Sequence, residues 1–355
     1  MIFVDIYILD GDFEIVDIID DFKSMIWTDR YNDIGDFELV VSDIKWKKIL
    51  KKDYYLQIDQ SDRLMIVDHI SGSIDEEGSP ELTFTGHSLE HILTRRIIWY
   101  KFSYQGPIHK AVQTLIYDNA IDPHIPARKI PNLGYSWDES IDKNLLVAFD
   151  ELHGDILYDT IKSSCDLHDV GFRMRYFNKV MSFELYRGID RSYSQSDNLP
   201  VVFSEKLDNL QNAQFTDDNS EFKNVAYVFS ENDKPLDIEG VLDPYYLDMV
   251  VGNAVGLDRR ETFVNPTIDE DYTYNKDVYM KAQGEMALKE NAYTPIYEGE
   301  AIWNTETYVF NEDYFLGDIV QYEDRFGNQS RARVTEVIFS EDSSGYSTYP
   351  TFSNI

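Results

Sequence analysis

The residues best suited to chemistry are His87-Ser88-Leu89-Glu90-His91, an H-x-x-E-H pattern. On a helix this spacing puts His87 and His91 on one face, where two imidazoles can hold zinc and Glu90 can act as general base. A third ligand would come from a later helix, and the sequence offers too many candidates to single one out. The structural reading of the same residues is stronger. A strand leaves Gly86-His87, Ser88 caps a helix, and Leu89, Ile92, Leu93 and Ile97 make its apolar stripe. Five-residue motifs recur by chance. No metal or other cofactor is therefore expected, and His87, Glu90 and His91 stand as the candidate metal residues.

Other patterns carry less. Asp269 to Asp277 resembles a calcium loop, but its sixth and twelfth positions hold Tyr274 and Met280 where an EF-hand needs Gly and Glu. Among 65 acidic residues nothing marks out a glycosidase pair. Ser192, Ser194 and Ser196 lack a nucleophile elbow, and neither a P-loop nor a G-x-G-x-x-G occurs. Catalytic residues are accordingly not expected, and the chain reads as a protein that is not an enzyme. Trp99-Tyr100 and Tyr245-Tyr246 are first suspects for stacking on sugars, against an ordinary place in a core or interface.

The elements that must position these residues are mostly strands. Ile6 to Leu9, a two-residue turn at Asp10-Gly11, and Phe13 to Ile19 read as a hairpin. Phe37 to Val41, Tyr54 to Asp59, Leu64 to Ile74 and Glu81 to Gly86 follow at a spacing that suits a small barrel or sandwich. Next come a helix with Ile108, Val112, Leu115 and Ile116 on one face, and a second from Ile156 to His168 stopped by Gly171. Phe172 to Tyr176 and Met181 to Tyr186 form a hairpin about Asn178-Lys179. Strands resume at Val201, Leu210 and Asn224; residues 232–260 read as loop. Tyr274 to Ala292 is helical, with Val278, Ala282 and Met286 on one face. Ala301-Ile302-Trp303, Ile319 to Tyr322 and Arg331 to Phe339 close the chain in strands.

Composition bounds the function further. The net charge is −33, from 65 acidic against 32 basic residues, so binding to a phosphate backbone is not expected. Eleven acids and two basic groups fall within residues 1–38. Aromatic and β-branched residues interleave with the acids, which separates this composition from disorder. The basic run Lys45 to Lys52 reads as a solvated face of a short helix. The single cysteine, Cys165, rules out an intrachain disulfide and reads as a small buried hydrophobe. No run of about 18 apolar residues occurs, and Met1 to Asp5 lacks the basic start of a secretory signal.

Two blocks at opposite ends share a design, a strand edge set against a Gly-Asp turn. The first runs from Trp27 through Arg30, Tyr31, Gly35 and Phe37 to Leu39; the second is Tyr314-Phe315-Leu316-Gly317-Asp318-Ile319-Val320. Gly317 is expected at positive φ. The first block is similar to the N-terminal signature of phage and prophage tail-associated proteins of the baseplate-hub class, the group also called minor structural or Gp37-like proteins. Further echoes follow in order: Gly86 to Arg96, Tyr186 to Ser192, Val202 to Ser204 with Asn209-Leu210, Asn224 to Val228, Arg259 to Glu261, and Asp313 to Val320.

That resemblance implies an α+β, β-rich fold of two tail-tube-like β-barrel domains with α/β insertion domains. Residues 1–98 would be an N-terminal barrel with a closing helix and 99–200 a mixed α/β insertion. Residues 201–294 would be a second β/α segment partly completing the barrels, and 295–355 C-terminal barrel strands. It implies a structural hub at the distal tip of a long tail, a homotrimer forming a pseudo-hexameric ring, assembled in the host bacterial cytoplasm. Implied partners are the distal tail protein, the tape-measure protein, the tail tube and receptor-binding or lysin proteins. DNA would be met only in transit, and stable membrane binding is not expected. Many relatives continue into a wall hydrolase; with an end at Ile355 that activity is expected to be missing. The alternative function is a cell-wall-degrading or wall-glycan-binding tail protein.

Overall fold

The run Leu64-Met65-Ile66-Val67 is apolar at every position and buried at every position. A strand covered on one face would alternate, so this one must be sandwiched. Met65 and Val67 enter one hydrophobic core while Leu64 and Ile66 enter another. The strand Leu64–Ile74 is thus the wall between the two main bodies of the protein.

A computed structural model describes residues 4–74, 78–232, 245–268, 273–293, 295–301 and 307–355. Over these residues the protein is a β-rich α+β fold built on an eleven-stranded sheet. The order across it is Val202–Ser204, Ile319–Glu323, Gln329–Asp342, Ser24–Arg30, Asp36–Val41, Pro80–Ser88, Leu64–Ile74, Tyr55–Gln57, Ile6–Leu9 and Ile15–Ile19. The last strand, Gly345–Asn354, lies on Gln329–Asp342. Strands from the two ends of the chain are therefore neighbours in one sheet, through the antiparallel pairing of Gln329–Asp342 with Ser24–Arg30.

Gln329–Asp342 is a branch point. Its first half pairs with Ile319–Glu323 and its second half with Ser24–Arg30, while Gly345–Asn354 follows its other edge. The register shift between Val334 and Glu336 separates the halves, and a bulge bends a strand at such a place. The two ends of the sheet, Val202–Ser204 and Ile15–Ile19, do not pair with each other among the described residues.

The second core fills the space between the helices Ile108–Ile116 and Leu157–His168 and the three-stranded sheet of Leu133–Trp137, Gly171–Phe177 and Val180–Tyr186. Cys165 is fully buried in it, and burial pushes its thiol pKa up. A third, smaller core joins the helix Lys276–Glu290 to strands Val225–Asn232, Tyr245–Val251 and Glu261–Val264. No helix is long and apolar enough to cross a membrane among the described residues.

Several local expectations change. The turn after Ile6–Leu9 is not a two-residue one. The Asp10 carboxylate accepts from the Asp12 and Glu14 N–H groups at 2.9 and 3.0 Å, making a longer loop with Phe13 at φ 60°. Phe13 is held there by stacking on Tyr55 and Tyr176 at 4.5 and 4.8 Å. The helix Leu157–His168 stops at Asp169, which takes the left-handed conformation at φ 54°; Gly171 instead opens the next strand. The loop expected over 232–260 contains the strand Tyr245–Val251, which pairs with Val225–Asn232. The helix begins at Lys276, where Asn275 caps it, and its buried residues are Met280, Ala282 and Gly284. Within the basic run, Trp46 and Leu50 are buried while Lys47, Lys48, Lys51 and Lys52 face solvent. Ile302-Trp303 and Asp269 to Tyr272 lie outside the described residues.

Candidate functional site

The two signature blocks meet. Tyr31 leaves the strand Ser24–Arg30, and its ring is buried between Gly171 and Gly317. A Cβ on Gly171 would stand 2.1 Å from that ring, and one on Gly317 2.5 Å; Gly317 also has φ +93°. Only glycine permits both the conformation and the approach. Tyr186 meets the ring edge-on at 5.2 Å, and the Arg333 guanidinium lies over its face at 4.8 Å. The Tyr31 hydroxyl donates to the Asp169 carbonyl at 3.2 Å, and burial pushes its pKa up to about 12.

Around this ring hydrogen bonds tie the large sheet to the body of the second core. Tyr31 N–H donates to Thr335 at 2.9 Å, and Phe172 N–H donates to the Tyr31 carbonyl at 3.0 Å. Asn32 donates to Asp166 at 2.6 Å, and Lys162 to the Asn32 carbonyl at 3.2 Å. Arg30 pairs with Asp36 at 2.5 Å and with Glu336 at 2.7 Å. Gly35 N–H donates to Ser88 Oγ at 2.8 Å, so Ser88 serves this loop and not the helix it was expected to cap. Trp27 packs against Phe37 at 6.1 Å and donates to Asp29 at 3.1 Å. Asp318 accepts from Ile189 N–H at 2.7 Å, Arg191 at 2.8 Å and Phe315 N–H at 3.1 Å. Trp27, Arg30, Tyr31, Gly35, Phe37, Gly317 and Asp318 thus lie at or beside one junction. Gly171, Asp169, Tyr186 and Arg333 complete it; Gly171 was expected only as a helix stop and Tyr186 only as the end of a hairpin strand and the start of a family echo, while Asp169 and Arg333 were not singled out.

The H-x-x-E-H residues divide. Leu89–Arg95 is a 3₁₀ helix where an α-helix was expected, and His87 precedes it, in the strand Pro80–Ser88. Glu90 is fully buried, ion-paired with Arg63, and accepts the Met174 N–H at 2.5 Å. It is a core anchor between the two bodies, turned away from the histidines, and cannot serve them as a base. His87 and His91 stay half-buried with their rings stacked at 4.5 Å. Burial, with His87 beside it, lowers the His91 pKa. Their companion is Asp68, whose carboxylate lies 2.7 Å from His87 Nδ1. It comes from an earlier strand, not a later helix.

A buried polar patch adjoins the junction. Asp29 accepts from Ser61 at 2.6 Å, and burial pushes its carboxyl pKa up to about 7 despite the nearby Arg63. Of the aromatic suspects, Trp99 and Tyr100 are exposed, with the Arg128 guanidinium 5.0 Å above Trp99. The backbone of Tyr245 and Tyr246 pairs with Asn232 and Glu231.

The family model described as siphovirus ReqiPepy6 Gp37-like protein matches residues 5–352. The chain belongs to this family. It is a phage tail-associated protein. Solved structures share its fold at low identity. The tail protein of Neisseria meningitidis MC58 is 12% identical at a TM-score of 0.61, covering 100% of this chain and 97% of its own. Prophage tail protein gp18 of Listeria monocytogenes EGD-e is 11% identical at 0.60, over 99% and 94%. The prophage MuSo2 43 kDa tail protein of Shewanella oneidensis is 12% identical at 0.62, over 99% and 98%. No curated protein matches the sequence.

Proposed function

We propose that this chain is a structural hub protein at the distal tip of a long phage or prophage tail. Three copies form a pseudo-hexameric ring that closes or continues the tail tube and anchors its neighbours. The observation that carries this reading is the outer edge of the large sheet. Ile15–Ile19 ends the sheet with no strand beyond it among the described residues, and Ile15, Val16 and Ile18 are 60%, 44% and 43% exposed. A free apolar edge is a template for another strand. A closed ring of copies covers such edges.

The branch at Gln329–Asp342 supports two barrel-like wings in each copy, as tail-tube-like β-barrel domains would require. Residues 1–98 and 295–355 supply their strands, 99–200 form the mixed α/β insertion, and 201–294 the second β/α segment. Three copies then present six similar units, which matches a threefold tip to a sixfold tube. The partners are the chain itself as homotrimer, the distal tail protein, the tape-measure protein, the tail tube, and receptor-binding or lysin proteins. Assembly takes place in the host bacterial cytoplasm and residence is at the virion tail tip. The −33 charge suits a channel that DNA passes without adhering, because like charges repel at short range. The role is not enzymatic: the one motif with catalytic spacing spends its glutamate on Arg63.

Cryo-electron microscopy of assembled tails tests this. Three copies at the tip are expected; a different copy number, or a position along the tube or outside it, overturns the reading.

A further inference from the structure

We propose that Asp68, His87 and His91 form a divalent transition-metal site of the zinc class, with a coordination position open to solvent. Asp68 is the extra residue of a bulge: Val67 opposes Gly86 and His69 opposes Thr85 on the neighbouring strand Pro80–Ser88. Bulges re-aim side chains, and this one turns the Asp68 carboxylate to His87. His91 arrives from the following turn, its ring stacked within 18° of parallel on that of His87. One donor atom from each residue lies within 4.8 Å of the other two. Donors about a tetrahedral ion with bonds of about 2.1 Å stand about 3.4 Å apart, a closure that half-buried side chains make by rotating about their own bonds.

The donor set selects the ion. Two imidazoles and one carboxylate suit zinc, cobalt or nickel, whereas calcium and magnesium take oxygen ligands. Arg95 lies 3.5 Å from Asp68 Oδ1 and also pairs with Asp53. It thereby orients the carboxylate with Oδ2 toward His87, while its charge trims the affinity for a cation. The ion would staple the Leu64–Ile74 and Pro80–Ser88 pair to the turn Leu89–Arg95, next to the wall between the two main cores. It would not make a peptidase, because Glu90 points into the Arg63 pair. Water fills the open position.

The test uses the full chain, stripped with chelator and titrated with zinc by calorimetry, and with cobalt by visible absorption. One equivalent of zinc bound at about 100 µM metal, with a tetrahedral cobalt spectrum, is expected. His87→Ala and His91→Ala should each lose both signals, a loss that diffuse binding by surface carboxylates would not show, while the exposed His124→Ala keeps them. His91→Gln repeats the test with a milder change, and circular dichroism shows that each variant is folded. Absence of a saturable equivalent, or an equivalent that persists in either folded alanine variant, overturns the site.

Discussion

Tyr31 occupies a slot that two glycines make and no other residue type could leave open. At Gly317 a side chain meets both the Tyr31 ring and a positive φ. Gly317→Val should therefore cost about 2–5 kcal/mol, combining backbone strain with overpacking. Chemical denaturation measures it, and an unchanged midpoint would refute the wedge. Asp29 offers a second test. Its carboxyl has a folded pKa of about 7 because it is buried, while an unfolded Asp titrates near ~3.9. Between those values the folded chain holds more protons than the unfolded one, so stability falls as pH rises through that window and levels off above it. Wild type should lose up to about 4 kcal/mol relative to Asp29→Asn between roughly pH 4 and pH 7.5. Parallel stability profiles for the two proteins would show that Asp29 is charged in the fold throughout.

At the scale of elements, the strands were legible where one face is buried and alternation is clean, as in Phe172 to Tyr176 and its partner. Their turn was legible too, since Asn178 and Lys179 take φ 48° and 64°. Legibility failed where a side chain overrides local preference. The Asp10 carboxylate captures two N–H groups and replaces a tight turn with a loop. Asp169, not Gly171, takes the left-handed stop, because Gly171 is needed bare beneath Tyr31. The candidate site was half legible. His87 and His91 stand out by spacing, but Asp68 reaches them only through a bulge, which nothing in the local sequence announces. The edge strand Ile15–Ile19 carries a prediction of its own. Val16→Lys should abolish self-association while changing the stability of the single chain by no more than about 0.5 kcal/mol. Sedimentation velocity and thermal unfolding check the two halves, and association that survives the lysine would move the interface elsewhere.

For the whole molecule, pairing between the chain's two ends was beyond sequence reasoning. Gln329–Asp342 and Ser24–Arg30 are each ordinary strands, and only the fold makes them neighbours. That pairing gathers the N-terminal and C-terminal strands around one core and leaves Ile15–Ile19 at one end of the sheet, with no strand beyond it among the described residues. Copies carrying −33 each repel one another, so their association should strengthen with added salt as the screening length shrinks from ~10 Å at 0.1 M towards ~3 Å at 1 M. Sedimentation equilibrium over a range of chain and salt concentrations puts the self-assembly claim most directly at risk. A species of three times the 41.4 kDa chain mass, favoured by salt, is expected. A single-chain mass at every concentration, or a dimer as the largest species, would contradict it.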